Sequence, residues 1–336
     1  SSTWDLGREL PKADSSKFLR HVEAWNAAFP KFSTWGVDAS VWQDRGMLPL
    51  DAIALSINAA KWGIQTLLSS GQTLNEAASR CTIRLASTTD IISTAAAIRG
   101  LRVAFATMIE ELGCDPESAP LWIESRTTSI FGVSDIIEDN ILRHTVMAYG
   151  AVLGGADSIE VRRHDFIAPA EDDTVASEQA IRWSRNIQHI LRDEAMLGRT
   201  DDPMGGSHHL DCATRWYATE SLSRSKKMTS LKEWNDATLQ GRRVWLSAPV
   251  FVPQGSKRGE EVLSENPEDL FYLLNHSQVE KITPTPANIQ SEKLYSGKSS
   301  AISEIKTVGT AEGIDIPISF PATNTSKLSH EIYKPG

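Results

Sequence analysis

Four short extended runs in this chain each carry an ionisable residue where a structural sheet would normally place an apolar one. Asp38 lies in 34–42, Arg84 in 81–87, Arg126 in 121–127 and Glu160 in 158–163. Side chains alternate between the two faces of a strand, so these residues could line one polar interior. A carboxylate in such a lumen needs a cationic partner or a raised pKa. Two readings stay open: a polar lumen or ligand channel, and a set of salt bridges at the strand ends. Arg162, Arg163, His164 and Asp165 follow the last run. In a barrel that is the C-terminal rim, where sites are built.

Two other motifs invite chemistry and receive a plainer account. His208-His209 with Asp211 and Cys212 has the residue types of a metal cluster. Adjacent ligands on an extended or turn segment point apart, and no distant partner has metal-ligand spacing. A solvated turn after Gly205-Gly206 is expected there. Gly154-Gly155 could cradle a phosphate, but it follows a helix and precedes a strand. Phosphate loops do the reverse, so a helix C-cap is expected.

The elements that must position these residues are readable. Phe18, Leu19, Val22, Trp25 and Phe29 form one helical stripe. A second helix runs from Ile53 to Leu68, and Thr73 with Glu76 forms a capping box for a short third. Asp90 caps a long helix carrying Ile91, Ala95, Ile98, Leu101 and Met108, which ends at Gly113. Ser134 or Asp135 opens the next, with Ile137, Ile141, Thr145 and Leu153, closed by Gly154-Gly155. Thr174 opens another, with Ile181, Ile187, Ile190 and Leu191, and a last helix spans Leu210 to Ser225. Short strand followed by long helix implies an α/β fold with a parallel sheet or barrel. Only four clear strands are visible, whereas a TIM-type barrel needs eight.

Composition narrows the function classes. The chain has 336 residues, 40% hydrophobic and 23% charged, which is ordinary for a globular protein. Such a length fits two domains or one α/β barrel. The net charge of −9 disfavours a free-standing nucleic-acid binder. Cys81, Cys114 and Cys212 are odd in number and widely spaced, which argues against a disulfide framework. Reduced thiols and a cytoplasmic location are expected. No uninterrupted run of 18 apolar residues exists, so a transmembrane helix is not expected. Ser1-Ser2-Thr3-Trp4 carries neither an initiator Met nor a signal core, as expected of a processed or trimmed chain. Residues 1–230 read as the barrel portion. Residues 231–336, rich in Ser, Thr, Pro, Lys and Glu, read as an extended tail that wraps on something.

Three stretches together resemble the acyl-CoA-binding barrel of the methylmalonyl-CoA mutase family, which is adenosylcobalamin-dependent. They are Ile83-Arg-Leu-Ala-Ser-Thr-Thr-Asp90 running on to Ile98-Arg-Gly-Leu-Arg102, then Asn140-Ile-Leu-Arg143 through Gly154-Gly-Ala-Asp-Ser-Ile159, then Arg182-Trp-Ser-Arg-Asn-Ile-Gln188 with Asp202-Pro-Met-Gly-Gly-Ser207. Val37-Asp-Ala-Ser-Val-Trp42 resembles an earlier strand of the same barrel. The likeness spans roughly 33–225 and implies a TIM-type (β/α)8 barrel, of which the four strands are the fifth to eighth. Nothing resembles the first four strands, where the family places its catalytic tyrosine. No histidine stands in the family's Asp-x-His-x-x-Gly cobalt-ligating motif.

The resemblance also places a catalytic His on the last strand, where this chain has Glu160. It places a substrate-binding Arg on the preceding strand, where a gap-free alignment puts Trp122. A Glu cannot stand in for a hydrogen-bond-donating His unless protonated. Together these departures imply the smaller, non-catalytic subunit of a heterodimeric mutase, paired with a catalytic or cobalamin-binding chain. Adenosylcobalamin would then be present in the complex and not held by this chain alone. No catalytic residue is expected here, and Asp38, Arg84, Arg126, Glu160 and Asp165 are candidates for substrate contact. Two rivals are an active acyl-CoA mutase chain with an altered substrate, its cobalamin domain on a separate polypeptide, and an assembly or regulatory protein that keeps the half-barrel as an interaction surface.

Overall fold

A computed structural model describes residues 4–5, 15–29, 33–133, 136–166, 178–228, 233–234, 236–241, 307–309 and 315–317. Five parallel strands form one sheet: β1 (Trp4–Asp5), β2 (Trp35–Asp38), β3 (Cys81–Ser87), β4 (Trp122–Thr127) and β5 (Ser158–Glu160). Their order in space is their order in sequence. A doubly wound sheet would reverse that order at a switch point. Unreversed order is common to parallel barrels and to open sheets wound in one direction. The five described strands form an open parallel wall, in which β1 is a fifth strand beside the four read from the sequence.

The helices are α1 (Ser15–Ala28), α2 (Ser40–Gln43), α3 (Pro49–Ser69), α4 (Leu74–Ser79), α5 (Ile91–Glu111), α6 (Asp139–Leu153), α7 (Glu178–His189) and α8 (His208–Ser225). Local signals set their ends as expected. Thr73 and Glu76 form the capping box of α4, and Asp90 accepts from the Ser93 N–H at the start of α5. Gly113 (φ 91°) follows α5 and Gly155 (φ 73°) follows α6, a conformation that glycine adopts without penalty. α5 is long and apolar enough to cross a membrane, but most of it is buried as the central core helix.

Several boundaries differ from expectation. β2 stops at Asp38 because the Asp38 carboxylate accepts from the Ser40 N–H and hydroxyl, turning the chain into α2. β5 stops at Glu160, because the Arg162 N–H goes to the Thr127 hydroxyl (2.9 Å) and not to a ladder. β1 lies in a segment with no strand signal in its sequence. His208-His209 are not a turn: they open α8, capped by Ser207. The proposed starts Ser134, Asp135 and Thr174 lie outside the described residues. So does most of 231–336, where the described parts include an antiparallel pair, β6 (Thr307–Gly309) with β7 (Asp315–Pro317).

One face of the sheet is covered by helices. Trp35, Val37, Ile83, Leu85 and Ile123 are buried in a core shared with α3, α5 and α8. Contact between α5 and α8 is close enough to require glycine. A Cβ at Gly100 would lie 2.5 Å from the Tyr217 Cβ. Alongside, the Ser93 and Tyr217 hydroxyls are hydrogen-bonded at 2.6 Å. We expect Gly100→Val to cost at least about 1–3 kcal/mol, the range for overpacking a filled core. Urea unfolding would read this, and an unchanged midpoint would mean that the helices can separate freely.

Candidate functional site

The opposite face of the sheet is charged. Asp38, Arg84 and Glu124 stand side by side in the ladder of β2, β3 and β4, and Arg126 stands opposite Glu160 on β5. These residues alternate with Val37, Leu85, Ser125 and Ile159, so the strand period alone sends them to one face. They neutralise one another. Arg84 reaches Asp38 at 3.0 Å and Glu124 at 2.7 Å, with Glu160 at 4.0 Å. Arg126 holds Glu160 at 3.0 Å through Nε and Nη2, and reaches Asp38 at 3.4 Å and the Ser40 hydroxyl at 3.2 Å. Burial works against the Arg84 charge, but the hydrogen bond that it donates to Glu124 and the charges of Asp38, Glu124 and Glu160 outweigh it. Its guanidinium is therefore held above its ordinary value.

Of the candidates, Asp38, Arg84, Arg126 and Glu160 thus meet in one cluster. Glu124 joins them, a residue that the sequence reading passed over although it shares the Arg126 face by the same alternation. Asp165 does not join: it pairs with Arg163 at 3.0 Å beyond the strand end. Trp122 lies on the charged face but at the start of β4, 51% exposed, donating to the Ser158 hydroxyl at 3.4 Å. The residue opposite Glu160 is Arg126, four positions further along the strand from Trp122.

At the C-terminal rim a second cluster closes the site. Arg162 pairs with Asp44 at 2.5 Å and donates to the Ser129 hydroxyl at 3.0 Å. Asn140 on α6 bonds both the N–H and the carbonyl of Val133, and also the His164 carbonyl. His144, one turn on, is 3% exposed. His164 is also buried, with its ring 4.9 Å from that of Trp183. Of the helical stripe Ile137, Ile141, Thr145 and Leu153, Leu153 is buried as expected, but the rest of the buried face is displaced to Asn140, His144, Met147 and Ala151. Hydrophobic spacing could not show this, because two of the buried positions are polar.

The motifs that carry the family likeness meet at the other end of the strands. Arg99 clasps Asp202 with two bonds (2.9 and 2.6 Å) and donates to the Leu153 carbonyl. Arg102 pairs with Asp157 at 2.9 Å and donates to the carbonyls of Leu121 and Gly155. Gly154 is pressed on α5, where a Cβ would meet Ile98 at 3.0 Å. Ile98–Arg102, Gly154–Asp157 and Asp202–Ser207 are thus one framework joint. In barrel folds that end of the strands serves stability and the opposite rim serves chemistry.

A family model described as methylmalonyl-CoA mutase matches residues 9–231, about two thirds of the chain. The chain belongs to the methylmalonyl-CoA mutase family. It is 30% identical over 188 residues to a probable methylmalonyl-CoA mutase small subunit of Mycobacterium tuberculosis, covering 56% of this chain and 29% of that protein. It is 26% identical over 208 residues to the methylmalonyl-CoA mutase small subunit of Propionibacterium freudenreichii subsp. shermanii, covering 60% and 31%. A 2-hydroxyisobutanoyl-CoA mutase large subunit of Aquincola tertiaricarbonis is 25% identical over 212 residues, covering 62% and 36%. The chain thus spans about three tenths of the length of the small subunits it matches.

The donor set does not fit the mutase family's cobalt site. No histidine stands in Asp-x-His-x-x-Gly. Among the described residues no group of three His, Cys, Asp or Glu side chains could hold a metal ion.

Proposed function

We propose that this chain is barrel wall of a non-catalytic, small subunit of an adenosylcobalamin-dependent methylmalonyl-CoA mutase. In that enzyme (R)-methylmalonyl-CoA and succinyl-CoA interconvert, and the cofactor supplies the radical chemistry. The observation that carries the reading is the self-neutralised charged face. Arg84 and Arg126 are both engaged by the chain's own carboxylates. A substrate carboxylate would find no free guanidinium among them, and Glu160 would repel it. The cofactor would sit on a catalytic or cobalamin-binding partner chain in a cytoplasmic hetero-oligomer. Closure of the barrel would come from another polypeptide segment, because β1 and β5 are edge strands in the described sheet.

The test is turnover by the full chain alone, supplied with adenosylcobalamin and methylmalonyl-CoA. No turnover and no cobalamin binding are expected. The double variant Glu160→His with Trp122→Arg is also expected to be silent. Turnover by either protein would sink the reading.

One observation favours a second reading. A relative named for a different acyl-CoA, the 2-hydroxyisobutanoyl-CoA mutase large subunit, matches over a similar span. Under that reading Glu160 and Trp122 would be specificity changes in an active chain. Acyl-CoA binding by this chain alone separates the two.

A further inference from the structure

We propose that Glu160 is a tethered surrogate ligand, whose carboxylate occupies the Arg126 guanidinium in the place that a small carboxylate ligand would take. The charged face holds two arginines against three carboxylates, Asp38, Glu124 and Glu160. Arg84 hydrogen-bonds two of them, Asp38 and Glu124, and lies 4.0 Å from Glu160. Arg126 turns its Nη1 inward, to Ser40 and Asp38. Its Nε–Nη2 edge faces Glu160, with both nitrogens 3.0 Å from one oxygen. That edge is the fork with which a guanidinium takes a carboxylate in two bonds.

Exposure shows which member of the pair is replaceable. The Arg126 side chain is 13% exposed and fixed in the wall, whereas the Glu160 side chain is 45% exposed on the edge strand. Removing the Glu160 side chain opens the fork toward solvent. The two arginines then face two carboxylates, Asp38 and Glu124, where they faced three, and the Nε–Nη2 fork of Arg126 has no anion. A buried donor on the same wall, the Arg84 Nε–H, already lacks an acceptor. Tethered groups act at effective concentrations of about millimolar or above, so a free carboxylate below that level loses to Glu160. The inference deepens the subunit reading and rests on it for why the face is silent.

Succinate is the probe, since one of its carboxylates can enter the fork while the other stays in water. Calorimetric titration of the full chain should show no binding at up to about 10 mM, the range a tethered carboxylate excludes. Glu160→Ala should bind at least about tenfold tighter, as expected when the tethered competitor is gone. Arg126→Gln added to Glu160→Ala should abolish that gain. A Glu160→Ala protein with native circular dichroism and no gain would overturn the proposal. So would a gain that survives Arg126→Gln, or wild-type binding as tight as the variant's. If Glu160→Ala does not fold, Glu160→Gln removes the charge and keeps the shape; no gain there overturns the proposal equally. Failure here leaves the association of the wild-type chain with a mutase partner untouched, and that is measured separately.

Discussion

Acidification from about pH 6.5 to about pH 4 should cost the folded chain about 3 kcal/mol through His144 alone, at the linkage slope of about 1.4 kcal/mol per pH unit. His144 is pushed down to about 3, first by burial and then by the positive charges of Arg162, His164 and Arg143. Both its ring nitrogens are buried without a hydrogen-bond partner, and so is Nδ1 of His164. The nearby carboxylates are committed elsewhere, Asp44 to Arg162 and Asp165 to Arg163. In the unfolded chain His144 regains its ordinary value near 6.5. Below that pH the unfolded state takes up a proton that the folded state refuses. Stability is therefore full above about 6.5 and is lost as the pH falls toward 3. Urea unfolding across this range should give a steep slope for the wild type and a shallower one for His144→Phe. Parallel slopes would mean that His144 finds a partner in solution.

Arg84→Met should be the most damaging single change on the charged face. It removes the one cation that Asp38 and Glu124 share. Asp38 keeps Arg126 and Ser40, whereas Glu124 loses the guanidinium nitrogen that it holds at 2.7 Å. Breaking a buried ion pair costs about 3–5 kcal/mol. Glu124 is 27% exposed, and water repays part of that. The expected loss is about 2–3 kcal/mol, discounted for that exposure. Arg192→Met, at an exposed pair with Asp193, should leave the unfolding midpoint unchanged. Equal effects at the two sites would show that the wall is open to water.

How legible each element is in the amino-acid sequence depends on the kind of signal it carries. β3 runs over Cys81–Ser87 as expected, because β-branched and apolar residues alternate there with Arg84 and are bounded by the Thr73–Glu76 cap and Asp90. β2 is shorter than its apolar run suggests, because the hydrogen bonds that Ser40 donates to the Asp38 carboxylate override periodicity. β1 carries no periodic signal at all, since two residues define no alternation. The charged face is half legible. Alternation finds Arg84, Glu124 and Arg126, but which guanidinium faces Glu160 depends on the stagger between β4 and β5. That stagger is a pairing between distant segments, and counting residues along one alignment leads to Trp122. The rim cluster of Asn140 and His144 is illegible for a different reason. Polar residues on a buried helical face look, in sequence, like a solvent face.

The subunit claim is tested most directly by co-expressing this chain with the catalytic mutase chain of the same organism. Size-exclusion chromatography with light scattering then reads the assembly. The account predicts that the two co-elute in fixed stoichiometry, and that this chain alone associates or aggregates through its open sheet edges. A stable monomer near 36.9 kDa, unfolding cooperatively and indifferent to the catalytic chain, would contradict it.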